Sequence, residues 1–490
     1  MIEEFFNAIP NNFNENDKTL IAKAFKFAQK AHAGQKRKSG RDYFEHPKQA
    51  AIILGQIFPD AATLAATLMH DIPEDTPLSL EDVKKEFGEV ITRLIDGVTQ
   101  LGHVRMKDGK DKYYVENLRK LFVATSQDIR VILIKLADRI HNMRTIDYIP
   151  KDKQLKVATE TLEIYAAIAA RLGINNWKDE LQDLCFRIVH PQEFIQTHKI
   201  LKSILEKREQ NIKNMQKNLA HIFRTEGIKY VEITGRIKRL YSLYQKLQKY
   251  EGDIDNIYDI IALRVVTKTT ADCYSALGII HKHFQPVPNR LKDFIANPKP
   301  NGYQSIHTTV FDKNKESFEI QIRTDLMHEE AERGIAAHWF YAEEGKPEKG
   351  VQAQTTWIKE LRSWQEETMS PEEYLENLKI ELFRHRIFVY TPKGDIKDLP
   401  LGATVIDFAF AVHTDLGYHM MGAKVNEKMA SIYDELGTED IVEIIKSKLP
   451  AKISADWLKA AKTPSARNKI RSYLNKNKRS LIQRVKGLIR

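Results

Sequence analysis

Thiols are nearly absent. Cys185 and Cys273 are the only two in 490 residues, and no metal-type spacing relates them. That excludes a disulfide framework and a cysteine zinc finger, and it fits a reducing, cytoplasmic setting. Long apolar runs are equally scarce. Residues 50–54 and 61–69 are among the longest, far short of the ~20 that cross a bilayer. The opening Met1-Ile2-Glu3-Glu4 is acidic and has no signal-peptide or acylation pattern, so no membrane partner is expected. No Gly-x-x-x-x-Gly-Lys-Ser/Thr occurs, which excludes a P-loop enzyme. Repeats and low-complexity tracts are lacking too.

What is present suits a folded, multidomain chain. Hydrophobic residues make up 42% and charged ones 29%. At roughly 100–200 residues per domain the length predicts about three domains. The net charge of +10 is concentrated at one end. Residues 446–490 hold 14 Lys/Arg and a single acid, Asp456, whereas the remainder has 62 basic and 65 acidic residues. Lys476, Lys478, Arg479, Arg484, Lys486 and Arg490 suit either a polyanion contact, RNA being the obvious one, or a solvated helical end.

Periodicity divides the chain. Residues 1–195 read as helical. Asp17 is expected to cap a helix carrying Leu20, Ile21, Ala24, Ala28 and Ala31, with Gly34 ending it. Residues 131–140 and 162–172 are further helices. Over 196–345 the texture changes. A charged helix at 199–223 leads to an apolar strand at 257–266 and helical patterns at 273–284 and 326–341. Residues 317–324 alternate strictly, Phe318, Ile320 and Ile322 against Glu319, Gln321 and Arg323, which predicts a strand whose polar face lines a site. Linker helices are expected over 346–383. In a third unit, 384–447, a hairpin forms around Pro392-Lys393-Gly394-Asp395, with a helix at 405–411 and a closing strand at 441–445. A basic helical tail fills 448–490.

Two constellations carry chemistry. In the helical region His46, His70, Asp71 and Asp138 offer imidazole nitrogen and carboxylate oxygen, a set suited to Mn²⁺, Fe²⁺ or Zn²⁺. Glu74 and Asp75 follow closely, placed to orient or deprotonate an attacking water. Asp138 and Asn142 share a helix face, and Arg37 and Lys38 can hold a phosphate. In the second region Asp259 and Glu319 can carry Mg²⁺ on a nucleotide's phosphates. Arg236, Lys238, Arg264, Lys292, Lys299 and Arg323 balance phosphate charge, and Tyr303 can stack a purine. From residue types alone this second cluster reads equally as a nucleotide site or a basic RNA-binding sheet face.

The stretches Gly34-Gln35-Lys36-Arg37-Lys38-Ser39-Gly40, His46-Pro47, His70-Asp71-x-x-Glu74-Asp75-Thr76 and Lys135-Leu136-Ala137-Asp138-Arg139-Ile140-His141-Asn142-Met143-Arg144-Thr145 resemble the hydrolase half of the RelA/SpoT homologues. That resemblance implies an all-α HD-type domain with Mn²⁺ on His46, His70, Asp71 and Asp138. Water activation would fall to Glu74 and Asp75, and nucleotide contacts to Arg37, Lys38, Ser39, Asn142 and Thr145. Pro73 departs from the usual aliphatic residue and is expected to alter the turn. His32, His103 and His190 match no motif and read as ordinary histidines.

Gly235-Arg236-Ile237-Lys238-Arg239, Tyr258-Asp259, Arg290-Leu291-Lys292-Asp293, Pro298-Lys299-Pro300-Asn301-Gly302-Tyr303-Gln304-Ser305-Ile306-His307 and Glu319-Ile320-Gln321-Ile322-Arg323-Thr324 resemble the synthetase half of the same family. They imply an α/β, mixed-sheet, nucleotidyltransferase-like domain that moves pyrophosphate from ATP to the 3′-hydroxyl of GDP or GTP. Asp259 and Glu319 would be its Mg²⁺-binding and catalytic acids, Glu319 the base. Arg236, Lys238 and Ser242 would contact ATP. Tyr303 would stack guanine, near Lys292, Lys299, Asn301, His307 and Gln321. Arg239 and Asn289 depart from His and Gly; the first is expected to retune ATP binding, the second to stiffen its loop.

Val389-Tyr390-Thr391-Pro392-Lys393-Gly394-Asp395, Gly402-Ala403-Thr404-Val405-Ile406-Asp407-Phe408-Ala409-Phe410 and Gly422-Ala423-Lys424-Val425 resemble a TGS domain, an α+β module of β-grasp type. It implies tRNA and ribosome contacts, although Gly417-Tyr418-His419-Met420 replaces the usual Gly-His-Arg-Cys. The zinc-finger and ACT or RRM modules of long members have no counterpart here. Together these resemblances imply a bifunctional guanosine tetra/pentaphosphate synthetase and hydrolase of the stringent response. The rival readings are a hydrolase with a nucleotide-sensing synthetase fold, and an RNA-binding stress adaptor.

Overall fold

The computed structural model describes residues 2–10, 13–99, 110–254, 257, 259–299, 302–312, 315–337, 386–438, 440–447, 449, 451 and 453–475. The linker at 346–383, Asn301, His103 and the six tail cations from Lys476 onward lie outside them. Two compact units divide the chain, Met1–Glu367 and Thr368–Arg490. No helix among the described residues is long and apolar enough to cross a membrane.

The first unit is helical from Ile2 to Thr225 among its described residues, apart from one isolated bridge between Lys36 and Asp42. The helix Glu15–Ala31 is capped by Asn14, not by Asp17. Asn14 is extended, and its side chain accepts from the Asp17 amide at 2.9 Å while Asp17 reaches back to the Asn14 amide at 3.2 Å. Asp17 is therefore the inner member of a capping box.

Two helices form the centre. Ala61–Met69 is buried at every position except Ala62, and Arg130–Arg144 is buried without interruption from Val131 to Asp138. Each large apolar side chain so enclosed contributes about 1.5–3 kcal/mol. His70, directly after the first, and Asp138, on the second, thus hang from the most firmly packed elements. The helix expected at 162–172 opens as a π-turn, Thr161–Tyr165, and continues as Ala166–Arg171. Asn175–Val189 follows, then a 35-residue helix, Pro191–Thr225.

That long helix leads into a mixed sheet of β1 (Glu232–Ile237), β2 (Ile261–Thr267), β3 (Gln285–Pro286), β4 (Lys292–Asp293), β5 (Ile306–Phe311) and β6 (Ser317–Thr324). Its order is β1-β2-β6-β5-β3, with β4 on β5; β2 and β6 run parallel and the other pairs antiparallel. The strand expected at 257–266 starts only at Ile261, because Ile257 and Ile260 pack with Leu201 and Leu243 in a side cluster.

Strict alternation on β6 separates the sheet's faces. Phe318, Ile320 and Ile322 join Leu219, Phe223 and Ile280 in one core. Glu319, Gln321 and Arg323 face a cleft on the other side. The helix expected over 326–341 is interrupted after Arg333, where Gly334 takes φ +57°; residues 335–337 are helical again, and 338–341 lie outside the described residues. Next to it the Ile335 amide donates to Leu172 O at 2.9 Å, and the Asn175 amide side chain donates to Ala331 O at 2.8 Å. The helical and sheet parts of this unit are hydrogen-bonded there.

The second unit opens with the antiparallel pair β7 (Arg386–Tyr390) and β8 (Ile396–Pro400), and Gly394 takes φ +87° in their turn. The helix Val405–Val412 follows, then β9 (Met420–Val425), β10 (Lys428–Ala430) and β11 (Val442–Lys446) in the order β10-β9-β11. A parallel bridge from Tyr390 to Ile441 ties the hairpin to β11. The sequence reading found the hairpin, helix and closing strand; β10 is too short to alternate visibly. Asp407, wholly buried, accepts from Thr404 N, Lys462 N and Thr463 N at 2.7–3.1 Å. The described part of the stretch read as a tail packs here as well: Trp457, Ala461 and Ile470 belong to this unit's core.

Candidate active sites

The first site lies where Glu45–Gly55, the end of Ala61–Met69 and Arg130–Arg144 meet. His46, His70 and Asp138 each present one donor atom within 4.8 Å of the others, all buried. The Nε2 of His46 lies 3.2 Å from Asp138 Oδ1. Asp71 straddles the two imidazoles, with one oxygen 3.4 Å from His46 Nε2 and the other 3.1 Å from His70 Nε2. His70 donates through Nδ1 to Thr67 O at 2.8 Å, so the neutral ring carries its lone pair on Nε2, a buried atom without an aligned hydrogen bond. That orphan nitrogen, amid two carboxylates, fits a divalent cation. Burial alone would hold His70 neutral, but Asp71 and Asp138 lift its pKa to about 9. For Asp138 burial is outweighed by Lys135 and the imidazoles, which hold it well below the ordinary carboxylate range.

A second layer fixes these ligands, and the sequence reading missed most of it. The Nδ1 atoms of His46 and His141 are 2.6 Å apart. Burial and then His46 push the His141 pKa down to about 3, so His141 stays neutral. We assign it as acceptor, which leaves His46 Nε2 free for the cluster. Tyr43 donates its hydroxyl to Asp75 and lies 3.3 Å from Asp71, while His32, expected to be an ordinary histidine, stacks on Tyr43 with centroids 4.8 Å apart. His141 stands in the stretch 135–145 quoted above but was given no role there, and only convergence in space marks Tyr43 and His32. Pro73 occupies the first turn of Ile72–Asp75, where its missing N–H costs no helical bond. Glu74 in that turn is exposed.

Arg37, Lys38, Ser39, Asn142 and Thr145 line one cavity of about 440 Å³ beside this cluster. Asn142 links the two: it donates to Asp138 Oδ1 at 2.6 Å and accepts from Arg37 Nη2 at 3.0 Å. Arg37 Nη1 is buried with no hydrogen-bond partner, a donor left for an anion. Thr145 gives its hydroxyl to His141 O at 3.0 Å.

The second site is a cleft of about 670 Å³ on the polar face of the sheet. Asp259 receives Lys238 and Lys246 on Oδ2 at 2.7 and 2.6 Å, while its Oδ1 is buried without a partner. Burial raises its pKa, but the lysines outweigh this and hold it below its ordinary value. Glu319 is half-buried, yet His307 and Gln321, which stand at 3.3 and 2.8 Å from its Oε1, hold its pKa below the ordinary value. Tyr303 OH meets His307 Nε2 at 2.9 Å, so a polar chain runs from the aromatic face to the carboxylate. Lys299, with its ammonium 5.0 Å from the Tyr303 centroid, has its pKa lowered to about 8 by burial, then by Lys292 and Lys178.

Most residues read from the sequence converge on this cleft. Arg236, Lys292, Lys299, Tyr303, His307 and Gln321 line it. Ser242 sits on the helix Leu240–Lys249 outside the lining; Arg323, expected to balance phosphate, lines the cleft but is 2% exposed and paired with Glu332 at 2.9 Å. Asn289 has φ +60°, the left-handed conformation a glycine would supply, so the turn is kept with asparagine in that place. Lys246, Asn175, Asn176 and Asp179 were not anticipated as lining residues.

Comparison with known proteins follows the same division. Residues 24–175 match an HD domain, 235–346 a region found in RelA / SpoT proteins, and 387–446 a TGS domain. A GTP pyrophosphokinase of Myxococcus xanthus is 43% identical over 467 residues, covering 94% of this chain and 61% of the relative. One from Streptomyces coelicolor is 44% identical over 476 residues, covering 94% and 56%. The chain therefore spans less than two thirds of those two relatives. It covers more of a guanosine-3′,5′-bis(diphosphate) 3′-pyrophosphohydrolase of Aquifex aeolicus, 40% identical over 482 residues, with 98% of this chain and 67% of the relative aligned. By that extended match and the three regions along it, the chain belongs to the RelA/SpoT family.

Proposed function

We propose that this chain makes and degrades guanosine tetra- and pentaphosphate, using ATP and GDP or GTP in the cleft and water in the helical cavity. The observation that carries the proposal is the pairing, in one compact unit, of two buried orphan ligand atoms, His70 Nε2 beside carboxylates suited to a metal ion and Asp259 Oδ1 on a carboxylate held by lysines suited to phosphate. We assign Mn²⁺ to His46, His70, Asp71 and Asp138, and Mg²⁺ to Asp259 and Glu319. Bound there, these ions would supply Lewis acidity and a water of lowered pKa.

In synthesis, Arg236, Lys238 and Lys246 hold the ATP phosphates and Tyr303 stacks guanine. Glu319 takes the proton of the 3′-hydroxyl. The 3′-oxygen bonds to the β-phosphorus of ATP as that phosphorus parts from the bridging oxygen, and AMP leaves. In hydrolysis, Arg37 and Lys38 hold the 3′-pyrophosphate, Asn142 keeps Arg37 in register with Asp138, and Asp75 or Glu74 takes a proton from water as its oxygen bonds to phosphorus; the bond from that phosphorus to the 3′-oxygen breaks, releasing pyrophosphate and GDP or GTP. The TGS match supports RNA contact, with tRNA and the ribosome as partners, and the setting is cytoplasmic.

The test is a pair of incubations: ATP plus GDP with Mg²⁺, and guanosine tetraphosphate with Mn²⁺. His70→Ala is expected to abolish the second reaction and spare the first, and Glu319→Gln the reverse. Failure of the parent in either reaction, or loss of both activities in either variant, would overturn the proposal.

A further inference from the structure

The cleft is not built from the sheet domain alone. Asn175, Asn176 and Asp179, from the last helix before the long connecting helix, also line it. At i, i+1 and i+4 they share one face, while Trp177, Leu181, Cys185 and Phe186 of the same helix are buried. Asp179 has a side chain only 10% exposed, and Lys178 Nζ meets its Oδ1 at 2.8 Å.

A carboxylate enclosed in a cleft rich in cations repels phosphate, so it needs another purpose. The cleft's other acids have one: Asp259 and Glu319 face the reacting groups, and Glu332 is taken by Arg323 and Arg264 at 2.9 and 3.4 Å. Asp179 remains. Asn175 in the same turn donates to Ala331 O at 2.8 Å, and Asp179 lines one cleft with Lys299 and Tyr303. The first turn of this helix therefore opens onto the cleft assigned above to guanine. Guanine presents N1–H and N2–H donors along one edge, beside the O6 acceptor; adenine has an N1 acceptor and an N6 donor. An ionised carboxylate only accepts, and an Asn amide can donate.

We infer that Asp179 and Asn176, contributed by the helical domain, read the guanine edge of the acceptor nucleotide, Asp179 taking N1–H and N2–H and Asn176 donating to O6. This rests on the proposed function and makes the hydrolase domain part of the synthetase's specificity.

The experiment measures KM for GDP, for inosine diphosphate (which lacks only the 2-amino group) and for ATP, using the full chain. Asp179→Asn is expected to raise the GDP KM about tenfold, the loss of one charge-assisted hydrogen bond. Inosine diphosphate should suffer less, so the preference between the two shrinks, and the ATP KM should stay within twofold. Asn176→Ala, at an exposed position, is expected to raise the GDP KM with an unchanged melting temperature, and serves if Asp179→Asn fails to fold. An unchanged GDP KM, equal shifts for both acceptors, or a shift in ATP alone would overturn the inference. Should the parent transfer no pyrophosphate, the function above fails, yet titration with fluorescent GDP and inosine diphosphate still decides whether Asp179 reads the base.

Discussion

Lys299, which lines the cleft, works against the fold. Its ammonium is crowded by burial, Lys292 and Lys178, so the folded chain releases this proton near pH 8, whereas an unfolded lysine keeps it to about 10.5. Between those values the unfolded state binds more protons, and stability rises with pH. Lys299→Met is therefore expected to raise the melting temperature of the nucleotide-free protein at pH 7, flatten its rise from pH 8 to 10.5, and weaken nucleotide binding. Parallel melting curves for parent and variant would contradict this. His141 has the opposite character, a neutral group whose value is orientation. His141→Phe removes the acceptor for His46 Nδ1–H and should cost roughly tenfold to a hundredfold in Mn²⁺ affinity, read by calorimetry. His46, His70, Asp71 and Asp138 were legible because the sequence holds them in ordered motifs. The roles of His141 and Tyr43 were not, although His141 shares a motif with Asp138, because they arise only when segments 95 and 28 residues apart converge.

Among the elements, legibility followed regularity. β6 declared itself because a strand with one core face and one polar face must alternate, and its polar row does line the cleft. The start of β2 was misplaced because Ile257 and Ile260 are as apolar as a strand but serve another cluster. The break after Arg333 hides in a lone glycine. A Cβ on Gly334 would fall 2.2 Å from Leu172 O, and the backbone there is left-handed. Gly334→Ala should therefore destabilise the first unit by about 3 kcal/mol or more, combining a clash that backbone must relieve with conformational strain. A denaturation midpoint equal to the parent's would show that the joint between sheet and helices yields freely.

For the molecule as a whole, each compact unit rests on its own polar keystone. In Thr368–Arg490 that keystone is Asp407, which binds the start of one helix to residues 462 and 463. Asp407→Ala should destabilise this unit by at least about 3 kcal/mol, since several buried donors then lack partners at about 1–3 kcal/mol each. Urea titration followed through Trp457, buried in the same core, measures it; an unshifted midpoint would rule the keystone out. The first unit's division of labour was readable in outline from two sets of motifs. The contribution of Asn175–Val189 to the cleft was not, since its neighbours there come from distant segments. Finally, both native thiols are sealed away: Cys185 is wholly buried with its pKa pushed up to about 12, and Cys273 lies against Thr267 in the sheet's core. Neither should react with maleimide in the native state. A single cysteine introduced at a chosen surface position would then take a fluorophore cleanly, letting opening and closing be followed optically without first stripping the native sulfurs.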